Sequence, residues 1–228
     1  MKKLFIAALM ATATLTAAAG DIFNSGDNRM DFGARLSVDA TVPSDIKYKI
    51  PSGSFNYDLY NTGAGFSLGG IMRVPLVYNL YLEPGVTFYY HTVKLDMNAA
   101  NRFDDVVPED ITGASVREFG LSIPVLLGYH FDFSDLRLHV FTGPEFSLGI
   151  VGKTHVSAKM SDMNLGGSES CYDDFRRGDV AWRTGVGVEY LRTYQFSISA
   201  APGLVNWSKT GSMHRTNVSF TLGYNFSL

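Results

Sequence analysis

Along the C-terminal stretch, apolar and polar residues alternate without exception. Val218, Phe220, Leu222, Tyr224, Phe226 and Leu228 share one parity, and Ser219, Thr221, Gly223, Asn225 and Ser227 share the other. A period of two is the mark of a strand whose two faces meet different surroundings. Phe32, Ala34, Leu36, Val38 and Ala40 alternate in the same way with Asp31, Gly33, Arg35, Ser37 and Asp39. Looser versions of the pattern occupy 66–77, 80–93, 116–129, 136–151, 180–191 and 194–205. The pattern predicts about eight strands, each long enough, at roughly 9 to 11 residues, to cross a bilayer at a tilt.

The polar parity carries charges of both signs. Arg35, Arg73, Arg137 and Arg183 fall on it, together with Glu83, Glu118, Glu145 and Glu189 and with His91 and His139. A soluble barrel would turn its apolar face inward, and alternation alone does not say which face is inside. Connection lengths do. The segments between strands run 42–63, 78–79, 94–114, 130–135, 152–178, 192–193 and 206–215, so long and short connections alternate. Transmembrane barrels have this order because tight turns face the periplasm and long loops face outside. Tyr78, Tyr81, Tyr129, Phe131, Phe133, Tyr190, Tyr194, Tyr224 and Phe226 lie near the short turns or the C-terminal end. Phe66, Tyr89, Phe119, Trp182 and Trp207 lie toward the opposite rim. Two such groups are expected where amphipathic rings sit at the two headgroup levels.

The N-terminus supplies the compartment. Lys2 and Lys3 precede an apolar stretch from Leu4 to Leu15, and Ala17, Ala18 and Ala19 follow with small residues at an A-x-A spacing. This reads as a secretory signal cleaved after Ala19, too short for a membrane-spanning helix. The chain then divides into a signal at 1–19, a periplasmic segment at 20–30 and one barrel domain at 31–228. Charged residues make up only 18% of the sequence, and no later apolar run is long enough for a spanning helix. A formal net charge of −3 argues against nucleic acid as a partner. Cys171 is the single cysteine and has no internal partner for a disulfide.

Prolines qualify the strand pattern. Pro75, Pro84, Pro124, Pro144 and Pro202 fall within predicted strands, where a residue without an N–H is normally confined to edges or bulges. Bulges or bends are therefore expected at several of them.

Several phrases occur in an order that resembles a known family. They are Leu80-Tyr81-Leu82-Glu83-Pro84-Gly85, Leu121-Ser122-Ile123-Pro124-Val125-Leu126-Leu127, Val140-Phe141-Thr142-Gly143-Pro144-Glu145, Gly185-Val186-Gly187-Val188-Glu189 and Gly203-Leu204-Val205-Asn206. Together they resemble the porin-family outer-membrane β-barrel domain proteins of Bacteroidota type, with the architecture of small OmpX-like and OmpA-like barrels. The resemblance implies an all-β fold: a single up-and-down antiparallel transmembrane barrel with long extracellular loops and short periplasmic turns. The end of the chain, with Gly223, Tyr224, Phe226 and Leu228, is similar to the C-terminal strand signal read by barrel-assembly machinery; leucine stands last where phenylalanine is common.

Function is read from sites. The interior of an eight-stranded barrel is only wide enough for side chains to fill. The inward set of Arg35, Arg73, Glu83, Glu118, Arg137, His139, Glu145, Arg183 and Glu189 is thus expected to form a hydrogen-bonded polar plug, which suits a structural or surface-interaction role. The alternative is that the arginines line a narrow porin-like solute channel. A lipid-modifying enzyme is the third class. His91, His139, His155 and His214 are candidate bases, but none sits in a context that names a serine partner. No motif calls for a cofactor or a metal. Asp104, Asp105, Glu109 and Asp110, or His155 with Asp162, read as solvated loop residues. Arg117 and Lys153 lie near the outer rim, where they are positioned to meet lipopolysaccharide phosphates. The loop at 152–178, with its Gly166-Gly167-Ser168-Glu169-Ser170 run, is the place for an extracellular ligand.

Overall fold

The computed structural model describes residues 30–50, 53–57, 60–77, 79–96, 111–160 and 163–227. The proposed signal and nearly all of the segment at 20–30 lie outside them, as does Leu228. The strands are β1 (Asp31–Pro43), β2 (Ile46–Ile50), β3 (Gly53–Tyr57), β4 (Gly63–Pro75), β5 (Leu80–Lys94), β6 (Ile111–Phe133), β7 (Leu136–Met160), β8 (Met163–Ser170), β9 (Gly178–Tyr190), β10 (Tyr194–Pro202) and β11 (Arg215–Ser227).

Eight of these form a closed antiparallel ring in the order β1, β4, β5, β6, β7, β9, β10, β11 and back to β1. Closure follows from the register of the first and last strands, where Asp31 pairs with Ser227 and Pro43 with Arg215. A row of register partners shows the tilt. It runs from Ala40 through Val218, Ala200, Thr184, Thr142, Leu127 and Leu82 to Val74, next to Arg73, the partner of Asp31. One circuit therefore descends by about ten residues, the stagger that strands inclined at roughly 35 to 45° require.

The apolar parity faces outward. Leu36, Leu68, Phe88, Phe196, Phe220 and Leu222 are exposed, Leu222 to 60%, while Arg73 and Glu189 on the other parity are exposed to 4% and 0%. An apolar belt of this extent is stable only against an apolar medium. Cross-strand aromatic pairs lie at the end where the tight turns sit, with Phe32 on Phe226 at 6.2 Å and Tyr194 against Tyr224 at 5.7 Å. Among the described residues three aromatics depart from the expected girdles; Tyr78 lies outside the described residues. Tyr81 and Tyr89 point into the barrel, and Trp207 is buried at the long-loop end. Tyr81 shares its parity with Glu83 and fits inside because the facing residue on β6 is Gly128, where a Cβ would stand against its ring.

The long connections are more ordered than the sequence suggests. The expected loop at 152–178 is the continuation of β7 to Met160 and its hairpin with β8, which together project past the ring. Part of 42–63 forms a separate hairpin of β2 and β3. The short turns are at Ser134 and Asp135 and at Leu191 to Thr193, with positive φ at Ser134, Leu191 and Arg192.

The prolines correct one expectation. Pro75 and Pro202 end their strands, but Pro84, Pro124 and Pro144 lie inside theirs without any register shift. Instead the ladder omits two register pairs at each: between Ile71/Gly85 and Val74/Leu82, between Pro84/Val125 and Thr87/Ser122, and between Pro124/Glu145 and Leu127/Thr142. A proline removes one donor, and intact pairing on both sides of the gap keeps the register. The bulges fall elsewhere, at Thr112 of β6, between the Ile111/Ala158 and Gly113/Ser157 pairs, and at Ile150 of β7, opposite the Phe119–Gly120 step.

Leu222→Arg, near the middle of the exposed face of β11, is expected to destabilise the barrel in lipid vesicles by about 2–4 kcal/mol. Equilibrium unfolding in denaturant, followed by tryptophan fluorescence, measures it.

Candidate functional site: a charged lumen under an apolar cap

Strand alternation carries the polar parity of all eight ring strands into the lumen, so residues far apart in sequence meet there. Near the tight-turn end, Arg73 of β4 donates to Glu83 of β5 from Nε (3.1 Å) and Nη2 (2.9 Å) and to Glu189 of β9 from Nη1 (2.6 Å). Glu189 also accepts from Asn225 Nδ2 at 2.9 Å and pairs with Arg137 at 3.4 Å. Arg137 reaches Asp132 at 2.7 Å. Arg35 lies 3.8 Å from Glu83 and donates to Gln195 at 2.6 Å, a residue shared with Arg73. The Arg73 guanidinium stacks over the Tyr81 ring, and the Tyr81 hydroxyl lies 3.3 Å from Nδ1 of His139. One connected network thus spans the lower lumen.

Above it the lumen is filled by smaller groups. Ser37 bonds Thr221 at 2.9 Å, Arg183 pairs with Glu145, and His91 Nε2 lies 3.4 Å from Asp39. Nearer the long-loop end, Arg215 binds Glu118 and, at 2.8 Å, Asp179. Over this triad sits an apolar cap of Ile46, Val116, Cys171, Tyr172, Phe175, Trp207 and Met213. Phe175 stacks on Trp207 at 4.2 Å, and Arg215 lies beneath the indole. A 3-10 turn at Cys171–Asp173 positions the first of these rings, and the chain around Trp207 is tied to it by Arg176 N–H donating to the Trp207 carbonyl at 2.8 Å.

Every charged residue placed inside by parity is found facing inward. Arg35, Arg73, Glu83, Glu118, Arg137, His139, Glu145 and Glu189 are buried, and the Arg183 side chain is exposed to 19%. Asp39 and Asn225, already on the polar parity of their strands, join this set, and Asp179, Gln195 and Arg215 are members that the sequence pattern had not singled out. The parity signal was present for all of them. Arg215 and Asp179 belong to strands that start earlier than the alternation predicts, β11 at Arg215 and β9 at Gly178. Arg117 and Lys153 face outward and are exposed, and Gly223, Tyr224 and Phe226 lie in β11 with its register to β1 intact.

The chemistry of this set is pairing. A carboxylate held by two guanidiniums is neither a free base nor a free ligand. Asp39, His91 and Ser67 are the nearest approach to a hydrolytic triad, and Ser67 belongs to a G-x-S-x-G phrase, Gly65 to Gly69. That phrase acts as a nucleophile elbow only at a sharp strand-to-helix turn. Here it runs through the interior of β4, with no turn at Ser67. Burial pushes the Cys171 thiol, in the cap, up to about 11.

Two outcomes follow. Removing Glu189 leaves Arg73 and Arg137 short of their shared acceptor, so Glu189→Ala is expected to cost about 3–5 kcal/mol in unfolding titrations. A thiol held protonated reacts slowly, because the thiolate is the nucleophile. Cys171 is therefore expected to resist a water-soluble maleimide at pH 7.5 in the folded barrel and to react at once after unfolding, with labelling rising as the pH approaches 11.

The sequence at 20–228 matches the family model described as outer membrane protein beta-barrel domain. No curated protein matches the chain. Similar solved structures include OprG from Pseudomonas aeruginosa, at 13% identity, TM-score 0.47, covering 89% of this chain and 99% of that one. Ail, the attachment invasion locus protein of Yersinia pestis, is 12% identical with TM-score 0.42 and coverage of 87% and 99%. The protease OmpT from Escherichia coli is 8% identical with TM-score 0.40 and coverage of 89% and 98%.

Proposed function

The chain belongs to the outer membrane protein beta-barrel domain family, and from that premise we infer that it is an integral outer-membrane protein whose barrel is a closed, non-enzymatic platform for surface interaction. The observation that carries this reading is burial. Inward side chains from one end of the lumen to the other, among them Arg35, Arg73, Glu118, Arg137, Glu145, Glu189 and Arg215, are exposed to 7% or less. In a water-filled pore such groups would be solvated. Here each side chain takes its hydrogen bonds from its neighbours, which is how a charge is tolerated out of water.

The apolar cap supports the same reading from the long-loop end. It covers the Arg215 triad and ties together segments from β2, β6, the 3-10 turn and the stretch before β11. A rigid stem of this kind presents the projecting β7–β8 hairpin and the β2–β3 hairpin to the exterior, where loops on a rigid scaffold carry binding. In this reading the signal at 1–19 exports the chain, is cleaved near Ala19, and leaves the C-terminal strand with Gly223, Tyr224, Phe226 and Leu228 to guide assembly.

The barrel refolded into planar bilayers is expected to give no stable conductance of nanosiemens size across ±100 mV. A steady open channel would overturn the closed reading in favour of a porin-like one.

A further inference from the structure

On the outward face, three cations stand together at the long-loop end. Arg117 of β6 and Lys153 of β7 are direct register partners, and both are exposed. Like charges opposite one another across a strand pair destabilise it, because their Cβ atoms are only about 4.5–5.5 Å apart. Lys94 of β5 adds a third. It pairs with Ser115, two residues from Arg117 on the same face, and is exposed as well. The outward positions beside them carry hydroxyls: Thr92 opposite Arg117, Ser115 opposite Lys94, and Ser170 of β8 opposite Lys153. Among the described residues none of the three cations takes part in an ion pair. This contrasts with the lumen, where every arginine is matched.

Height decides what the cluster faces. The next outward residues toward the middle of the barrel are Phe119 below Arg117 and Val151 below Lys153, exposed to 40% and 51%. Phe88 stacks on Phe119 at 6.2 Å within the same belt. The cations therefore sit one outward step above the apolar belt, at the level where lipid phosphates lie, on the side of the long loops. We propose that Lys94, Arg117 and Lys153 form a binding site for a phosphorylated lipid of the outer leaflet, with the phosphate between the β6 and β7 cations and the acyl chains against Phe88, Phe119 and Val151. A phosphate relieves the repulsion between Arg117 and Lys153, accepts hydrogen bonds from the Thr92 and Ser170 hydroxyls, and leaves the apolar part of the same molecule on the belt.

The test uses the full barrel folded in neutral-detergent micelles, with bound lipid counted by native mass spectrometry. Diphosphoryl lipid A is the anionic probe and phosphatidylethanolamine the zwitterionic one. Wild type is expected to retain lipid A preferentially. The triple variant K94Q/R117Q/K153Q is expected to lose about fivefold in affinity for each cation removed. K153E guards against a folding defect. It creates an ion pair with Arg117, is expected to unfold no more easily than wild type, and loses the preference too. R176Q, on the exposed chain beside the cap, retains it. Equal retention of the two lipids by wild type, or unchanged retention of lipid A in the triple variant or in K153E, would overturn the proposal.

Discussion

Ion pairing inside a barrel too narrow for bulk water is the constraint on which the other features of this protein depend. Isolated, each buried guanidinium or carboxylate is costly out of water, and pairing offsets that cost only when the geometry also satisfies the remaining donors and acceptors. The Arg73, Glu83, Glu189 and Arg137 network meets this requirement by drawing its members from β4, β5, β9 and β7, so it exists only when the ring is closed. The glycines follow from the same demand. At Gly223, beside Arg35, and at Gly128, beside Tyr81, a Cβ would collide with the large inward side chain. Register and closure are thus specified from inside by charge as well as from outside by lipid.

Much of this was legible in the sequence because period two is a physical signal that survives without knowledge of pairing partners. Parity alone placed Arg35, Arg73, Glu83, Glu189 and the rest of the charged set on one face, and the alternation of long and short connections oriented the strands. Parity failed only at strand ends. Arg215 and Asp179 were assigned to loops, although they continue the alternation of Ser219 and Arg183. The prolines were misjudged for a different reason. Pro84, Pro124 and Pro144 fall on adjacent strands, beside one another's register partners, and each interrupts the ladder for only two register pairs. The sequence pattern marks a missing donor but not the intact pairing on either side that makes a bulge unnecessary.

The cap was the least legible part. Ile46, Cys171, Phe175, Trp207 and Met213 belong to segments with no periodic pattern, and they meet only because the ring brings their connections together at one mouth. Trp207, expected among the rim aromatics, is instead part of the cap itself, stacked against Arg215. The cap gives the barrel two unlike ends: a charged network near the tight turns and a small apolar core at the loops. An apolar seal above an ion triad keeps water from competing with the Arg215 pairs, which strengthens them. The same seal makes the outer mouth a rigid base for the hairpins that rise from it.

The claim that everything else depends on is that the lumen is filled. Solvent access to a single inward position tests it most directly, using a Ser197→Cys variant in a Cys171→Ser background, folded in lipid vesicles and exposed to a membrane-impermeant maleimide. Ser197 faces the lumen and is exposed to 4%, and a Ser168→Cys control on exposed β8 reports the reagent's access to the outside. The account predicts rapid labelling at position 168 and none at position 197 until the barrel is unfolded. Labelling at both positions at similar rates in the folded protein would contradict it.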